Sequence, residues 1–207
     1  KHYTIIHNPI ETDLFRYVSK GVGQRKKVLS IRPYASRVYA NDLSVKAIHL
    51  LSEKPWFSDM EFRTVGDGPL FEEPLATLRK YKNVYIEQRF LRRDEIVALH
   101  KEYGVFLCPT RMDTHGVSRD EAMASGLVPV TNAVTAIPEF VDDSCGILAP
   151  GEDADAIARG ISLLYAHPER FAAMSKAAAK RVRAQSDAQR IIRAELAVVL
   201  DDSEQVR

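Results

Sequence analysis

The chain has 207 residues, 45% of them hydrophobic, which suits one globular domain with a sizeable core. It carries 29 lysines and arginines against 28 aspartates and glutamates, so a net charge of +1 gives no global attraction to nucleic acid or anionic membrane. The two cysteines lack a metal-type spacing, no apolar run reaches the roughly 18 residues of a membrane-spanning helix, and the first residues do not resemble a signal peptide. We therefore expect a cytoplasmic protein with reduced thiols.

Short runs of β-branched, aromatic and aliphatic residues, bounded by turn residues, predict buried parallel strands. They span residues 26–31, 61–65, 83–87, 105–109 and 128–131, and residues 146–150 predict a sixth strand. Segments of helical composition separate them at residues 42–51, 69–81, 93–103 and 119–125. This alternation predicts an α/β fold with a doubly wound, Rossmann-like parallel sheet of about six strands and helices on both faces.

The last quarter of the chain predicts a helical C-terminal end. Helices are expected over residues 153–166 and 170–183, with a break at His167-Pro168, and from Ser186 onward. Ser186 and Gln189 have the spacing of a capping box, which marks a helix start. Residues 201–207 predict a frayed tail.

The loops that follow strands are the places where such sheets bind ligands. Arg32 and Arg37 follow the first predicted strand, where they could grip a diphosphate or could be solvated surface arginines. After the second strand, residues 66–68 predict a tight turn with Pro69 at the first helical position, and this turn needs no ligand.

The loop DTHGVSRDEAMASG, residues 113–126, follows the fourth predicted strand and leads into a helix. Gly116 and Ser118 begin this helix, whose first backbone N–H groups and dipole favour an anion. Ser118 and Glu121 also have capping-box spacing, which would explain Glu121 without any ligand. The sequence alone leaves both interpretations open.

Two further interpretations of this loop are weaker. A metal site of Asp113, His115 and Asp120 would contain a single histidine, with no second one at ligand spacing. A pair of acids for hydrolysis would need one carboxyl with a raised pKa, and nothing in the sequence marks which one that would be.

The stretch PTRMDTHGVSRDEAMASGLVPV, residues 109–130, resembles the motif region of the group 1 glycosyltransferases, which are retaining nucleotide-sugar enzymes of the GT-B fold. Asp113 and Glu121 have the spacing of that family's two acidic residues, and the segments NPIETDLF, GDGPL and IPEFV are similar to it as well. The resemblance covers nearly the whole chain. It implies that the chain is the C-terminal, donor-binding domain of such an enzyme.

The resemblance also implies roles for individual residues. Arg32 and Arg37 would neutralise the donor diphosphate, and Glu121 would accept hydrogen bonds from the ribose hydroxyls. Asp113 would hold hydroxyls of the transferred sugar, while the N–H groups of Gly116, Val117 and Ser118 would face phosphate or sugar.

The remaining expected site residues are Gly66, in the GDGPL motif, and Phe90 and Leu91, which would lie against the base. Two positions depart from the family pattern. Asp113 replaces the usual Glu, and His115 replaces an apolar or aromatic residue, so that His115 could contact the donor itself. These departures put the identity of the sugar in doubt.

The implied reaction is transfer of a hexose-type sugar with retention from a UDP- or GDP-sugar, with no metal or other cofactor required. The expected partner is this donor, without nucleic acid. Because the first residue is Lys1, we expect residues 1–207 to be a fragment that is inactive alone, with 1–15 a linker remnant and the acceptor-binding N-terminal domain absent.

Other interpretations remain at this stage. A sugar-nucleotide epimerase or a phosphorylase has the same fold, and a scaffolding domain could bind a nucleotide without catalysis. The basic residues Lys180, Arg181 and Arg183 predict the solvated face of a helix, with a peripheral membrane contact of the full-length protein as the alternative.

Overall fold

The computed structural model describes the backbone of residues 4–205 and the side chains of residues 4–200. Its centre is a parallel sheet with the strand order β3-β2-β1-β4-β5-β6. The strands are β1 (Lys27–Ile31), β2 (Glu61–Gly66), β3 (Val84–Gln88), β4 (Val105–Leu107), β5 (Val128–Asn132) and β6 (Ile147–Ala149). All six predicted strands are confirmed, including the sixth.

The strand order reverses between β1 and β4. Val28 of β1 pairs with Phe62 of β2 on one side and with Val105 of β4 on the other. The connections that leave β1 and β4 therefore diverge to opposite halves of the sheet and leave a crevice between them at the carboxyl edge. This crevice is where the fold places a ligand site.

The helices are α1 (Asn41–Ser52), α2 (Glu72–Leu75), α3 (Arg93–Glu102), α4 (Val117–Ala124), α5 (Ile137–Phe140), α6 (Ala154–Ala166), α7 (Pro168–Ser186) and α8 (Ala188–Gln205). The break at His167-Pro168 is confirmed, because α6 ends immediately before it and α7 begins at the proline. Pro168 suits the first helical position, where its missing N–H costs no hydrogen bond.

Helices cover both faces of the sheet, as predicted. On one face, Ile48 of α1 and Ile161 of α6 are buried in the largest apolar cluster. On the other face, Leu99 of α3 and Ala122 of α4 pack against Phe106 of β4. Burying a large aliphatic or aromatic side chain contributes about 1.5–3 kcal/mol, so these layers hold the strand ends of the crevice in place.

The predicted helix over residues 69–81 is wrong in its extent. Only α2 is α-helical there, and a single 3-10 turn follows it at Ala76–Leu78. The N–H of Leu70 instead donates to the carbonyl of Tyr34, at 2.9 Å. This bond ties residues 69–71 to the loop after β1, so Pro69 lies before the helix rather than at its first position.

The predicted capping box of Ser118 and Glu121 is also wrong. Helix α4 begins one residue earlier than Ser118, at Val117, and its N-cap is Gly116 in the left-handed conformation, with φ of 81°. Ser118 therefore lies inside the first turn, where it cannot act as the cap. Glu121 needs a different explanation.

The second predicted capping box, Ser186 with Gln189, is replaced by an aspartate cap. Asp187 accepts hydrogen bonds from the N–H groups of Gln189 and Arg190, at 3.1 and 3.3 Å. Ser186 is the last residue of α7, and its hydroxyl is buried without a hydrogen-bond partner. A carboxylate is a strong helix N-cap, and here it lies one residue after the predicted serine.

The segment that leads into the domain, residues 7–12, is joined to the α7–α8 junction and is called the leading segment below. The N–H of Ile10 donates to the carbonyl of Ser186 at 2.7 Å, and the carbonyl of Ile10 accepts from Ala188 at 2.9 Å. The Thr12 hydroxyl donates to Asp187. Residues 1–3 of the predicted linker remnant lie outside the described residues.

Helix α8 extends from this junction and includes the backbone of residues 201–205, while residues 206 and 207 of the predicted frayed tail lie outside the described residues. Ile192, Leu196 and Val199 are exposed on it at helical spacing. Across residues 4–205, no helix has the length and apolar character needed to cross a membrane.

The basic run in α7 differs from the predicted solvated face. Arg181 forms an ion pair with Asp142, and Arg183 donates to the carbonyl of Ala124 at 3.2 Å. Lys180 alone of the three is exposed. Both arginines therefore serve packing within the domain.

Candidate functional site

A cavity of about 490 Å³ opens at the carboxyl edge of the sheet, beside the point where the strand order reverses. The loops after β1, β3 and β4, the end of β2 and the start of α4 form its walls. Its lining residues are Asn8, Ile31, Arg32, Pro33, Tyr39, Gly66, Arg89, Phe90, Leu91, Ile96, Asp113, Thr114, His115, Gly116, Val117 and Ser118. Of the eleven predicted site residues, all but Arg37 and Glu121 line it.

Arg32 is the buried cation of this cavity. Its side chain is 5% exposed, and one terminal nitrogen donates to the carbonyl of Pro109 at 3.2 Å. The guanidinium carbon lies 5.2 Å from the centre of the Tyr39 ring. Within residues 4–200, no carboxylate pairs with Arg32, and its buried Nε has no hydrogen-bond partner. A buried guanidinium left in this state favours an anionic ligand.

Gly66 ends β2 directly against the backbone of Arg32. A Cβ atom at this position would lie 1.9 Å from the Arg32 carbonyl oxygen, which is far inside van der Waals contact. Only glycine therefore lets the two strand ends approach each other here. Gly66 lines the cavity with backbone alone and fixes the position of Arg32.

The start of α4 forms the wall that contains Gly116, Val117 and Ser118. The first N–H groups of an α-helix have no carbonyl partner within the helix, and they carry the positive end of its dipole. Gly116 is in the left-handed region, and a Cβ there would lie 2.8 Å from Nη1 of Arg119. The positive φ favours glycine at this turn, and an added Cβ would also displace the end of the Arg119 side chain. The turn directs α4 at the cavity.

Asp113 lies at the rim of the cavity and is partly exposed. Its Oδ1 accepts a hydrogen bond from the N–H of His115 at 3.1 Å, which folds the loop into a local turn. The backbone of Asp113 is also bound to the hydroxyl of Thr135. The carboxylate is therefore held in place while part of it still faces solvent.

His115 is buried, with both ring nitrogens already occupied. Its Nε2 lies 3.0 Å from Oδ2 of Asp120, and its Nδ1 accepts from the N–H of Asn8 at 3.4 Å. The ring packs 4.4 Å from the ring of Phe140. Both ring nitrogens therefore have protein partners, while His115 still lines the cavity, and its contact with the donor stays a prediction.

Asp120 belongs to a buried ion pair that sequence reasoning missed. Its Oδ1 accepts from Nε and Nη2 of Arg119, at 2.9 and 2.7 Å. Arg119 is 2% exposed and Asp120 is 1% exposed, and Arg119 also donates to the carbonyl of His115. Arginine is rarely buried so completely, so no pattern in RDEAMA pointed to this pair.

Glu121 lies outside the lining of the cavity, on α4 and half-buried. Burial raises the pKa of its carboxyl, and the positive charge of Arg93 partly offsets this effect. Its environment therefore penalises the ionised form in the ligand-free protein. A hydroxyl donor that reached Glu121 would remove part of this penalty.

Arg37 does not share the cavity with Arg32. It begins a 3-10 turn, Arg37–Tyr39, and its exposed side chain lines a neighbouring cavity of about 680 Å³ beside α1. Within residues 4–200, its guanidinium has no acidic partner. The paired grip predicted from the two arginines is thus divided between two adjacent cavities.

Phe90 and Leu91 form the wall contributed by the loop after β3. The Phe90 side chain is 76% exposed, which is unusual because phenylalanine side chains are mostly buried. Arg89 beside it is held by Glu87 and Glu95, at 2.9 and 2.7 Å. An exposed aromatic face next to a neutralised arginine suits a flat, uncharged ligand group.

No three histidine, cysteine, aspartate or glutamate side chains among residues 4–200 come together as a metal-binding group. In particular, His115 and Asp120 bind each other and Arg119. Cys108 is buried at the end of β4, where burial raises its pKa to about 11 and leaves it as a small packing residue.

Comparison with known families identifies the chain. The sequence profile of the family described as "Glycosyl transferases group 1" matches residues 25–167, which is more than half of the chain and includes most of the cavity. This chain belongs to the group 1 glycosyl transferases. No curated protein sequence matches it.

Several solved structures share this fold. Sucrose-phosphate synthase from Thermosynechococcus elongatus superposes with a TM-score of 0.80 at 17% identity, over 99% of this chain and 53% of that one. HepE from Anabaena, crystallised with UDP, gives 0.78 at 17% identity, over 96% and 57%. The C-terminal domain of the group 1 protein LpcC from Francisella tularensis gives 0.71 at 16% identity, over 85% and 97%.

This chain therefore spans about half the length of the first two proteins, and nearly the whole of the separately crystallised LpcC domain. At these identities the likeness is one of fold. The chemistry must be argued from the cavity itself.

Proposed function

We propose that this chain is the donor-binding domain of a retaining glycosyltransferase that takes a hexose-type sugar from a nucleotide-diphosphate sugar. The observation that carries the proposal is the buried, unpaired guanidinium of Arg32 in the cavity that faces the start of α4. A diphosphate would supply the acceptor atoms that Arg32 lacks, and the helix start would add N–H donors and a favourable dipole.

In the reaction, charge develops on the diphosphate as the bond to the sugar breaks. Arg32 and the first turn of α4 would stabilise that charge from fixed positions, which favours the transition state over the bound substrate. Arg37, exposed in the adjacent cavity, would turn toward the diphosphate when the donor binds. These groups supply positive charge to the leaving group without a metal ion or other cofactor.

The remaining groups of the site would hold the donor's other parts. Asp113, at the rim, would accept hydrogen bonds from the sugar hydroxyls, and Glu121 would accept them from the ribose. Phe90 and Leu91 would pack against the base. HepE crystallised with UDP supports a uridine donor, and a GDP-sugar is the alternative.

We further propose that the acceptor is held by an N-terminal domain absent from this chain, so that the chain alone transfers no sugar. Support comes from the half-length coverage of the two longer structural neighbours. The exposed stripe of Ile192, Leu196 and Val199 on α8 would be covered in the longer protein. The cytoplasmic location expected from the sequence stays a prediction, and so does a peripheral membrane contact.

The proposal is tested by nucleotide binding to the 207-residue chain. Thermal unfolding would be recorded with UDP, GDP, ADP and their sugar conjugates, each with and without a chelator. A ligand at 100 times its Kd adds about 2.7 kcal/mol of stability, which shifts the melting temperature visibly. We expect a shift with one base that the chelator does not change.

The variant Arg32→Met gives the decisive comparison. If Arg32 is reserved for an anion, removing its buried unpaired charge should stabilise the ligand-free protein and weaken nucleotide binding by about 10- to 100-fold. Arg170→Met is the matched control, because Arg170 is exposed on α7, whose start packs at the opposite edge of the sheet. An Arg32→Met variant that is less stable and binds UDP normally would show that Arg32 is structural.

A further inference from the structure

The contacts among His115, Arg119 and Asp120 close into a ring beneath the turn that starts α4. His115 Nε2 meets Asp120, Asp120 accepts from Arg119, and Arg119 donates back to the carbonyl of His115. Gly116 follows His115 directly, and Nη1 of Arg119 lies 2.8 Å from where a Cβ of Gly116 would be. The left-handed turn is thus held by the side chain of Arg119, which packs against it, because α4 has no side-chain N-cap.

The hydrogen bonds define the chemical state of this ring. Nδ1 of His115 accepts the N–H of Asn8, so the proton of a neutral imidazole must lie on Nε2, where it is donated to Asp120. With Arg119 positive, Asp120 negative and His115 neutral, the buried set of three side chains has no net charge. Electrical neutrality suits its burial, because an unpaired buried charge costs several kcal/mol.

The Asn8 contact connects the ring to the way the chain enters the domain. Asn8 lies two residues before Ile10, which is hydrogen-bonded on both sides to the α7–α8 junction. The ring of His7 also lies 5.7 Å from that of His115. His115 therefore touches the leading segment with one ring nitrogen and the support of the helix start with the other.

We propose that His115 is a positioning residue that couples the leading segment to the N-terminus of α4, and through it to the diphosphate. The inference rests on the proposed function, since UDP is the probe. Through Nε2, His115 keeps the first N–H groups of α4 aimed at the cavity. Through Nδ1, His115 links the position of these N–H groups to the position of the leading segment.

Two substitutions separate the two contacts. His115→Phe keeps an aromatic ring against Phe140 but removes both hydrogen bonds. His115→Gln can keep an N–H donor at the position of Nε2 for Asp120, but it has no acceptor at the position of Nδ1, which Asn8 contacts. We expect His115→Phe to weaken UDP binding about tenfold, as the loss of one oriented hydrogen bond would, and His115→Gln to restore most of that affinity. UDP should slow hydrogen exchange at the Asn8 amide in the native chain but not in His115→Gln.

His49→Phe is the control for a purely structural effect. His49 also uses both ring nitrogens, toward Tyr81 at 3.0 Å and Thr77 at 2.9 Å, but lies outside the donor cavity. Its replacement should lower stability and leave UDP affinity unchanged. The positioning role would be overturned by equal UDP affinity in the native chain and His115→Phe, or by equally weak binding of His115→Gln and His115→Phe. It would also be overturned if UDP left hydrogen exchange at the Asn8 amide of the native chain unchanged. A native chain that binds none of the nucleotides would overturn the proposed function as well.

Discussion

Replacing Asp120 by asparagine should remove a large part of the domain's stability. The side chain is 1% exposed and accepts three hydrogen bonds, two from Arg119 and one from His115, at 2.7 to 3.0 Å. The asparagine would keep the shape of the side chain but leave the positive charge of Arg119 buried without a counter-charge. Breaking a buried ion pair in this way costs about 3–5 kcal/mol.

Such a loss is large against the roughly 5–15 kcal/mol that holds a typical domain folded. In a chain of this size each kcal/mol lowers the melting temperature by about 2–4 °C, so we expect a decrease of roughly 6–20 °C. Urea denaturation would measure the loss in free energy, and calorimetry the change in melting temperature. Nucleotide binding would weaken too, because the same ring supports the start of α4.

Two comparison variants make the result specific. In Asp94→Asn the pair with Arg92 is exposed, with side chains 71% and 74% accessible, so the loss should stay below about 1 kcal/mol. The double variant Arg119→Met with Asp120→Leu removes both charges and should be more stable than Asp120→Asn, although His115 loses two hydrogen-bond partners. An Asp120→Asn protein that is as stable as Asp94→Asn would refute the buried-pair explanation.

Two other expectations concern α4. Burial raises the pKa of the Glu121 carboxyl above its ordinary value of 4.5. The stability that the protonated carboxyl contributes is therefore present below pH 4.5 and is lost as the pH rises through the raised pKa. Glu121→Gln should raise the urea midpoint at pH 7, leave it nearly unchanged at pH 4, and weaken UDP binding. Gly116→Ala and Gly126→Ala both place alanine in the left-handed region, at φ of 81° and 90°, and each should lose at least about 1–2 kcal/mol on urea unfolding. Only Gly116→Ala should also weaken UDP binding, since Gly126 lies beyond the far end of α4; equal loss of binding in both would point to a global effect.

The central strands of the sheet could be predicted because they are buried on both faces. Every residue of β4 and of β5 is buried, so each strand is a continuous apolar run that turns interrupt clearly in the sequence. The carboxyl edge then follows from topology, and with it the loops that carry Arg32 and residues 113–118. General rules for parallel sheets were sufficient to this point.

The two capping boxes failed because local spacing describes only what a side chain could do. At α4 the left-handed Gly116 takes the cap position, and at α8 Asp187 competes successfully with Ser186. The extent of α2 failed for a related reason, since the Leu70 N–H is taken by the distant carbonyl of Tyr34. Contacts far apart in the chain decided these cases, and periodicity contains no information about them.

The types of residue in the candidate site could be predicted, but which charged side chains pair with one another could not. Sequence places Arg32 and Arg37 near one strand end, yet only the fold shows that Arg32 is buried in the cavity while Arg37 faces the adjacent one. Likewise, His115 and Asp120 suggested metal ligands until the structure paired them with each other and with Arg119. Which charge is already neutralised is a property of three-dimensional contacts.

Under the proposed function, the pairing of arginines with carboxylates explains how a nearly neutral chain would select an anion. Arg89, Arg111 and Arg119 are each paired with carboxylates, whereas Arg32 and the exposed Arg37 have no acidic partner within the described part of the chain, and of these two only Arg32 is buried. Because Arg32 is buried, its attraction for a diphosphate is screened by salt much less than a surface charge would be. Nucleotide binding should therefore depend weakly on ionic strength. The free energy that the free protein loses by burying Arg32 without a counter-charge is regained when the diphosphate binds, and so adds to the free energy of binding.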